Sequence, residues 1–100
     1  MPPLPPKTWI EVSRAALSHN ARELRSVLGP RTEIMAVVKS NAYGHGIATT
    51  VRAVRDQTSW FGVDALPEAL EVLKEAPRSK ILMLGATLPA WLGTAQRRGI

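Results

Sequence analysis

Apolar positions along the 100-residue chain recur with two spacings, and the two alternate. Thr8-Trp9-Ile10-Glu11-Val12 has the aromatic and β-branched content of a short strand and stops at Ser13, a residue suited to cap a helix. Leu17, Ala21, Leu24 and Leu28 then follow at intervals of four, three and four, which predicts a helix closed by Gly29-Pro30. His19 falls off that stripe. Ile34-Met35-Ala36-Val37-Val38 is an unbroken apolar run of the kind found in strands buried on both faces of a parallel sheet, and it ends at Lys39. The polar, glycine-bearing stretch Ser40 to Gly46 predicts a loop, and Ile47, Val51 and Val54 mark a second helical stripe.

The alternation repeats twice more. Trp60 to Val63 reads as a strand, with Pro67 at the start of a helix bearing Leu66, Ala69, Leu70 and Leu73. Lys80 to Leu84 reads as another strand closed by Gly85, and Pro89 opens a helix with Leu92 and Ala95 that stops near Gly99. Strands alternating with helices predict an α/β fold of βαβ units around a parallel sheet. Three such units fall short of the roughly 250 residues an eight-stranded barrel takes, so the chain is expected to be part of a longer protein. Residues 1–7, with Pro2, Pro3, Pro5 and Pro6, are expected to form an extended tail, and residues 8–100 the folded part.

Composition narrows the class. A hydrophobic share of 45% suits a folded domain. The formal charge of +5 invites a nucleic-acid reading, but the 13 Lys and Arg are scattered among acids such as Glu23, Glu68, Glu71 and Glu75, as on solvated helix faces. No nucleic-acid partner is expected. The absence of cysteine excludes disulfides and cysteine-based metal sites and fits a cytoplasmic location. With only His19 and His45 besides, no metal site is expected. No apolar stretch is long enough to span a bilayer.

Lys39 is the residue whose placement suggests chemistry. It ends an apolar strand, and alternation along that strand would set it on one face with Met35 and Val37. In parallel α/β architectures ligands bind at that end of the strands. Apolar surroundings favour the neutral form of an amine, and a neutral amine attacks carbonyls to form a Schiff base. The competing reading is a lysine that merely snorkels to solvent. Tyr43 has a similar alternative as a half-buried packing residue, and Leu84 as a core residue at a strand end. Gly44 and Gly46 serve either the turn or a small anion-binding nest, and the turn is favoured.

Ala36 to Gly46 reads AVVKSNAYGHG and resembles the pyridoxal 5′-phosphate (PLP) attachment signature of alanine racemases, A-V-V-K-A-N-A-Y-G-H-G, at ten of eleven positions. The flanks are similar too, in Trp9 to Val12, His19-Asn20, Glu68-Ala69 and Ile81 to Gly85. The resemblance implies the N-terminal portion of a PLP-dependent (β/α)8 barrel, followed in the family by a β domain, and a homodimer. It implies that Lys39 carries PLP and is the acid/base on one face of Cα, that the Tyr43 hydroxyl hydrogen-bonds the PLP phosphate, and that Leu84 lines the cofactor pocket. His45 is read as structural, and Trp9, Trp60 and Trp91 as packing residues.

Two positions depart from the pattern. Asp64-Ala65 stands where a small apolar residue and Ser or Thr are usual; Asp64 either alters the pocket's charge or substrate choice or caps the following helix, and the cap is favoured; Ser40 replaces an alanine. The family's second base is a tyrosine beyond this length, and Tyr43 is the only tyrosine here, so residues 1–100 alone are expected to be inactive. The expected activity of the whole protein is interconversion of L- and D-alanine, supplying D-alanine for peptidoglycan. The alternatives are a serine or broad-specificity racemase, a PLP-binding barrel protein without catalysis, and an inactive remnant.

Overall fold

The computed structural model describes residues 1–100. Helix α1 (Arg14–Leu28) begins where Ser13 Oγ accepts a hydrogen bond from Ala16 N at 3.1 Å, and it ends at Gly29. Strand β1 (Met35–Val37), a short helical turn α2 (Lys39–Tyr43) and helix α3 (Ile47–Val54) follow. Strand β2 (Trp60–Val63), helix α4 (Leu66–Glu75), strand β3 (Lys80–Met83) and helix α5 (Pro89–Arg98) complete the chain. The three strands form one parallel sheet in the order β1-β2-β3, with Ala36 beside Phe61 and Phe61 beside Ile81. Those three residues, with Val38 and Val63, belong to one core with Ile47 and Val51 of α3 and Leu66, Ala69, Val72 and Leu73 of α4. Phe61, Val51, Val63 and Val72 have no accessible surface, and full burial of such side chains contributes about 1.5–3 kcal/mol each.

Several expectations change here. Thr8 to Val12 is not a strand: it has no neighbouring strand to complete a ladder, and Trp9 and Ile10 are exposed. The run from Ile34 to Val38 is buried on one face only. Val38 is 1% exposed whereas Met35 and Val37 are 37% and 44% exposed, because the helices cover just one side of the sheet. Leu82 and Leu84 continue that uncovered face at β3 and just beyond it, whereas Gly62 of β2, between them and β1, is buried. In α1 only Ala21 is buried, and Leu24 and Leu28 stay exposed, since the helix packs chiefly on α3. In α5 Ala95 is buried and Leu92 is not. The radius of gyration, 15.6 Å, exceeds the ~13 Å of a compact 100-residue domain, as the exposed N-terminal segment and uncovered sheet face require.

Candidate active site

The site begins where β1 stops. Val38 N still donates to Gly62 O at 2.8 Å, but its ψ of 14° turns the chain out of the extended conformation. The strand's alternation therefore ends before Lys39, which is the first residue of α2 rather than the next member of the Met35 and Val37 row. Lys39 is half-buried.

The expected loop is a left-handed helical turn. Ser40, Asn41, Ala42 and Tyr43 have φ of 54°, 54°, 53° and 53°. A left-handed residue other than glycine costs roughly 1–2 kcal/mol, so four in succession need compensation from their surroundings. It comes from several directions. Ala42 is buried, and its N–H donates to Val38 O at 2.9 Å. Asn41 O accepts from Gly44 N at 3.1 Å and Gly46 N at 2.9 Å, while Asn41 Oδ1 accepts from Ile47 N at 3.2 Å, satisfying a free donor at the start of α3. Gly44 and Gly46, with φ of 94° and 89°, carry the chain out of the turn, so their use is backbone geometry. The His45 ring lies with Nδ1 3.0 Å from Ala42 O; a carbonyl only accepts, which puts the ring proton on Nδ1. From 28 residues away in sequence, the Glu68 carboxylate accepts from Ser40 N at 3.0 Å.

Tyr43 closes the turn that Lys39 opens, and it is 69% exposed. It lines a cleft of about 170 Å³ together with Ile10, Glu11, Val12, Gly44 and His45. The N-terminal segment thus abuts the signature loop although it forms no strand. Leu84 lies just past β3, with its N–H donating to Val63 O at 2.7 Å, and it is 49% exposed. A Cβ on Gly62 would stand 3.4 Å from Leu84 Cδ1, 3.3 Å from Val37 Cγ2 and 3.2 Å from Met35 Sδ. The missing side chain at Gly62 lets these three apolar groups converge on the open face of the sheet. Lys39, Tyr43 and Leu84 accordingly all stand at the carboxyl ends of the strands, the end at which βα loops build sites.

Asp64 does not cap α4. Ala65 occupies the N-cap position, with no side-chain hydrogen bond, and the Asp64 side chain lies instead against Gly85, where a Cβ would meet Oδ1 at 2.6 Å. Gly85 N donates to Asp64 O at 3.1 Å. The parts of Glu68, Asn41 and residues 10–12 are not visible in the pattern of apolar and polar positions; the cue to them is that all three fall within the stretches that resemble the family.

The opposite ends of the strands carry a different assembly. Glu33 accepts from Lys80 Nζ and Trp60 Nε1 at 3.2 Å each and from Ser59 Oγ at 3.3 Å, and Lys80 Nζ sits 5.1 Å from the Trp60 ring centroid. The Lys80 hydrogen bond first, then that of Trp60 and the Lys80 charge, hold the Glu33 carboxyl below the usual glutamate range. A groove of about 560 Å³ is at this end, lined by residues including Arg55, Ser59, Glu75 and Lys80. It is remote from Lys39. No helix is long and apolar enough to cross a membrane.

Residues 12–100 match the family described as alanine racemase, N-terminal domain. An alanine racemase from Nostoc sp. is 43% identical over 82 residues, covering 81% of this chain and 21% of that protein. A serine/alanine racemase from Enterococcus gallinarum is 42% identical over 81 residues, covering 79% of this chain and 12% of that protein. The crystal structure of the Bacillus anthracis alanine racemase with bound L-Ala-P superposes with a TM-score of 0.83 at 32% identity, over 98% of this chain and 26% of that one. The chain thus spans about a quarter or less of the length of these relatives.

Proposed function

The chain belongs to the alanine racemase N-terminal domain family, its three β/α units being the N-terminal part of that family's barrel, and from this premise we propose that the whole protein racemises alanine with PLP. The observation that carries the proposal is the placement of Lys39. It is a primary amine at the carboxyl end of a parallel strand, followed at once by a strained left-handed turn of the kind that persists where function needs it.

The residues present fit PLP. Val37, Gly62 and Leu84 offer an apolar surface for an aromatic ring at the same end of the sheet as the amine, and Tyr43 has an accessible hydroxyl able to donate to a phosphate. PLP, when bound, supplies an electron sink for the carbanion at the amino acid Cα. Lys39 would hold the cofactor through its amine, and by the resemblance to the family its Nζ would take or return the Cα proton on the face that serves the D-enantiomer. Leu84 would line the pocket beside the ring. Inverting Cα needs a second base on the opposite face; the resemblance implies that this base is a tyrosine and that Tyr43, the sole tyrosine here, would instead serve the phosphate. We therefore assign that base to a part of the protein, or of a dimer partner, outside residues 1–100, which makes this chain inactive by itself. The uncovered face bearing Met35, Val37, Leu82 and Leu84 supports that reading, because the remaining strands of a barrel would close over it. A cytoplasmic supply of D-alanine for peptidoglycan is the corresponding role.

A second substrate reading rests on the similarity to a serine/alanine racemase, which at 42% identity nearly equals that to the Nostoc enzyme. The test uses the full-length protein. Wild type is expected to be trapped as a covalent PLP adduct at Lys39 by borohydride and to turn over alanine faster than serine or lysine. Lys39→Ala is expected to lose both adduct and turnover. An adduct that survives Lys39→Ala would overturn the assignment, and serine turnover matching alanine would establish the broader substrate range.

A further inference from the structure

Glu68 stands in the first turn of α4, half-buried, and its one hydrogen bond runs to Ser40 N. No salt bridge involves it. The contribution of α4 to the core is made by Leu66, Ala69, Val72 and Leu73, on which the Glu68 carboxylate has no bearing. The peptide that Glu68 holds is the one joining Lys39 to Ser40, the first left-handed residue. Its orientation fixes ψ of Lys39 and, through it, the backbone from which the Lys39 side chain projects. Asn41 and His45 secure the far side of the turn, on α3 and on Ala42; on its near side Val38 N is held by Gly62 O of β2, and Glu68 is the side chain that ties the Lys39–Ser40 peptide to another element.

We infer that Glu68 is a positioning residue for Lys39: by accepting the Ser40 N–H it holds the Lys39–Ser40 peptide in the orientation that presents the amine to PLP. The inference rests on the proposed attachment of PLP to Lys39. Glu68 touches neither cofactor nor substrate in this role, and what it supplies is geometry, which in reactions between positioned groups is worth large factors.

The experiment compares wild type, Glu68→Ala, Glu68→Gln, Glu68→Asp and Lys39→Ala in the full-length protein. Each is stripped of cofactor, PLP is added back, and covalent capture at residue 39 is followed by absorbance and by the mass of the borohydride-reduced adduct. Glu68→Ala is expected to slow capture and to lower kcat by about 10-fold to 100-fold, the range that an ångström-scale misplacement produces. Glu68→Gln keeps an acceptor oxygen at the same reach and is expected to stay within roughly threefold of wild type. Glu68→Asp keeps the charge but falls one methylene short, and it is expected to behave like Glu68→Ala; it takes that variant's place should Glu68→Ala not fold. Rescue by Gln is what a general loss of stability would not give. Capture by Glu68→Ala or Glu68→Asp at the wild-type rate, or a Gln variant as impaired as Ala, overturns the inference. Adduct formation in Lys39→Ala would instead overturn the attachment reading on which it rests, so the two failures are distinct.

Discussion

Replacing Asn41 tests the account of the left-handed turn most directly, because this side chain is asked to do two separable things. Its Oδ1 accepts from Ile47 N at the start of α3, and its backbone holds φ of 54°. Loss of a side-chain acceptor from a helix start costs about 1 kcal/mol. Alanine tolerates the left-handed region less well than asparagine, which adds about 1 kcal/mol. Asn41→Ala is therefore expected to destabilise the protein by about 2 kcal/mol, near 30-fold in the folding equilibrium. Asn41→Gly loses the acceptor but gains conformational freedom, so the two effects oppose and the net change is expected within about 1 kcal/mol of zero. Asn41→Asp keeps the oxygen and should lie near wild type. Urea unfolding of the cofactor-free full-length protein, followed by tryptophan fluorescence, gives the order. If Gly proves as harmful as Ala, the left-handed conformation is not what Asn41 sustains, and if Ala is neutral both effects are refuted.

Gly85→Ala places a methyl group 2.7 Å from the Asp64 backbone oxygen, which cannot swing aside as the carboxylate can. A loss of about 1–3 kcal/mol is expected in the same unfolding assay, and an unchanged midpoint would show that the β2 and β3 ends are free to part. Glu33 has a lowered folded pKa, so between that value and the ordinary one the unfolded chain binds more protons. Its contribution is thus fully present above the ordinary glutamate range and lost as pH falls through the lowered value. Glu33→Gln should be less stable than wild type at neutral pH and should approach it in acid, by a modest amount given the exposure of Glu33 and Lys80. A gap that stays constant with pH would refute the ion pair with Lys80 as its source.

The chain's local chemistry determined a good deal by itself. Ser13 and Gly29 bound α1 in the sequence as they do in the structure, Trp60 to Val63 is β2 residue for residue, and Pro67 and Pro89 mark the helix starts of α4 and α5. These features are legible because capping, proline placement and strand composition act within a few residues. The signature from Ala36 to Gly46 was equally plain, and with it the family. Only the tertiary structure decided that Thr8 to Val12 pairs with nothing, since a strand exists by virtue of a partner that composition does not name. It alone decided that one face of β1 stays open, because an apolar run looks the same whether one side or two are covered. The hand of the turn after Lys39 was hidden for the same reason. Four left-handed residues contradict local preference, and what holds them there is contacts from His45 and Ile47 within the loop and from Glu68, which reaches Ser40 only once α4 has packed.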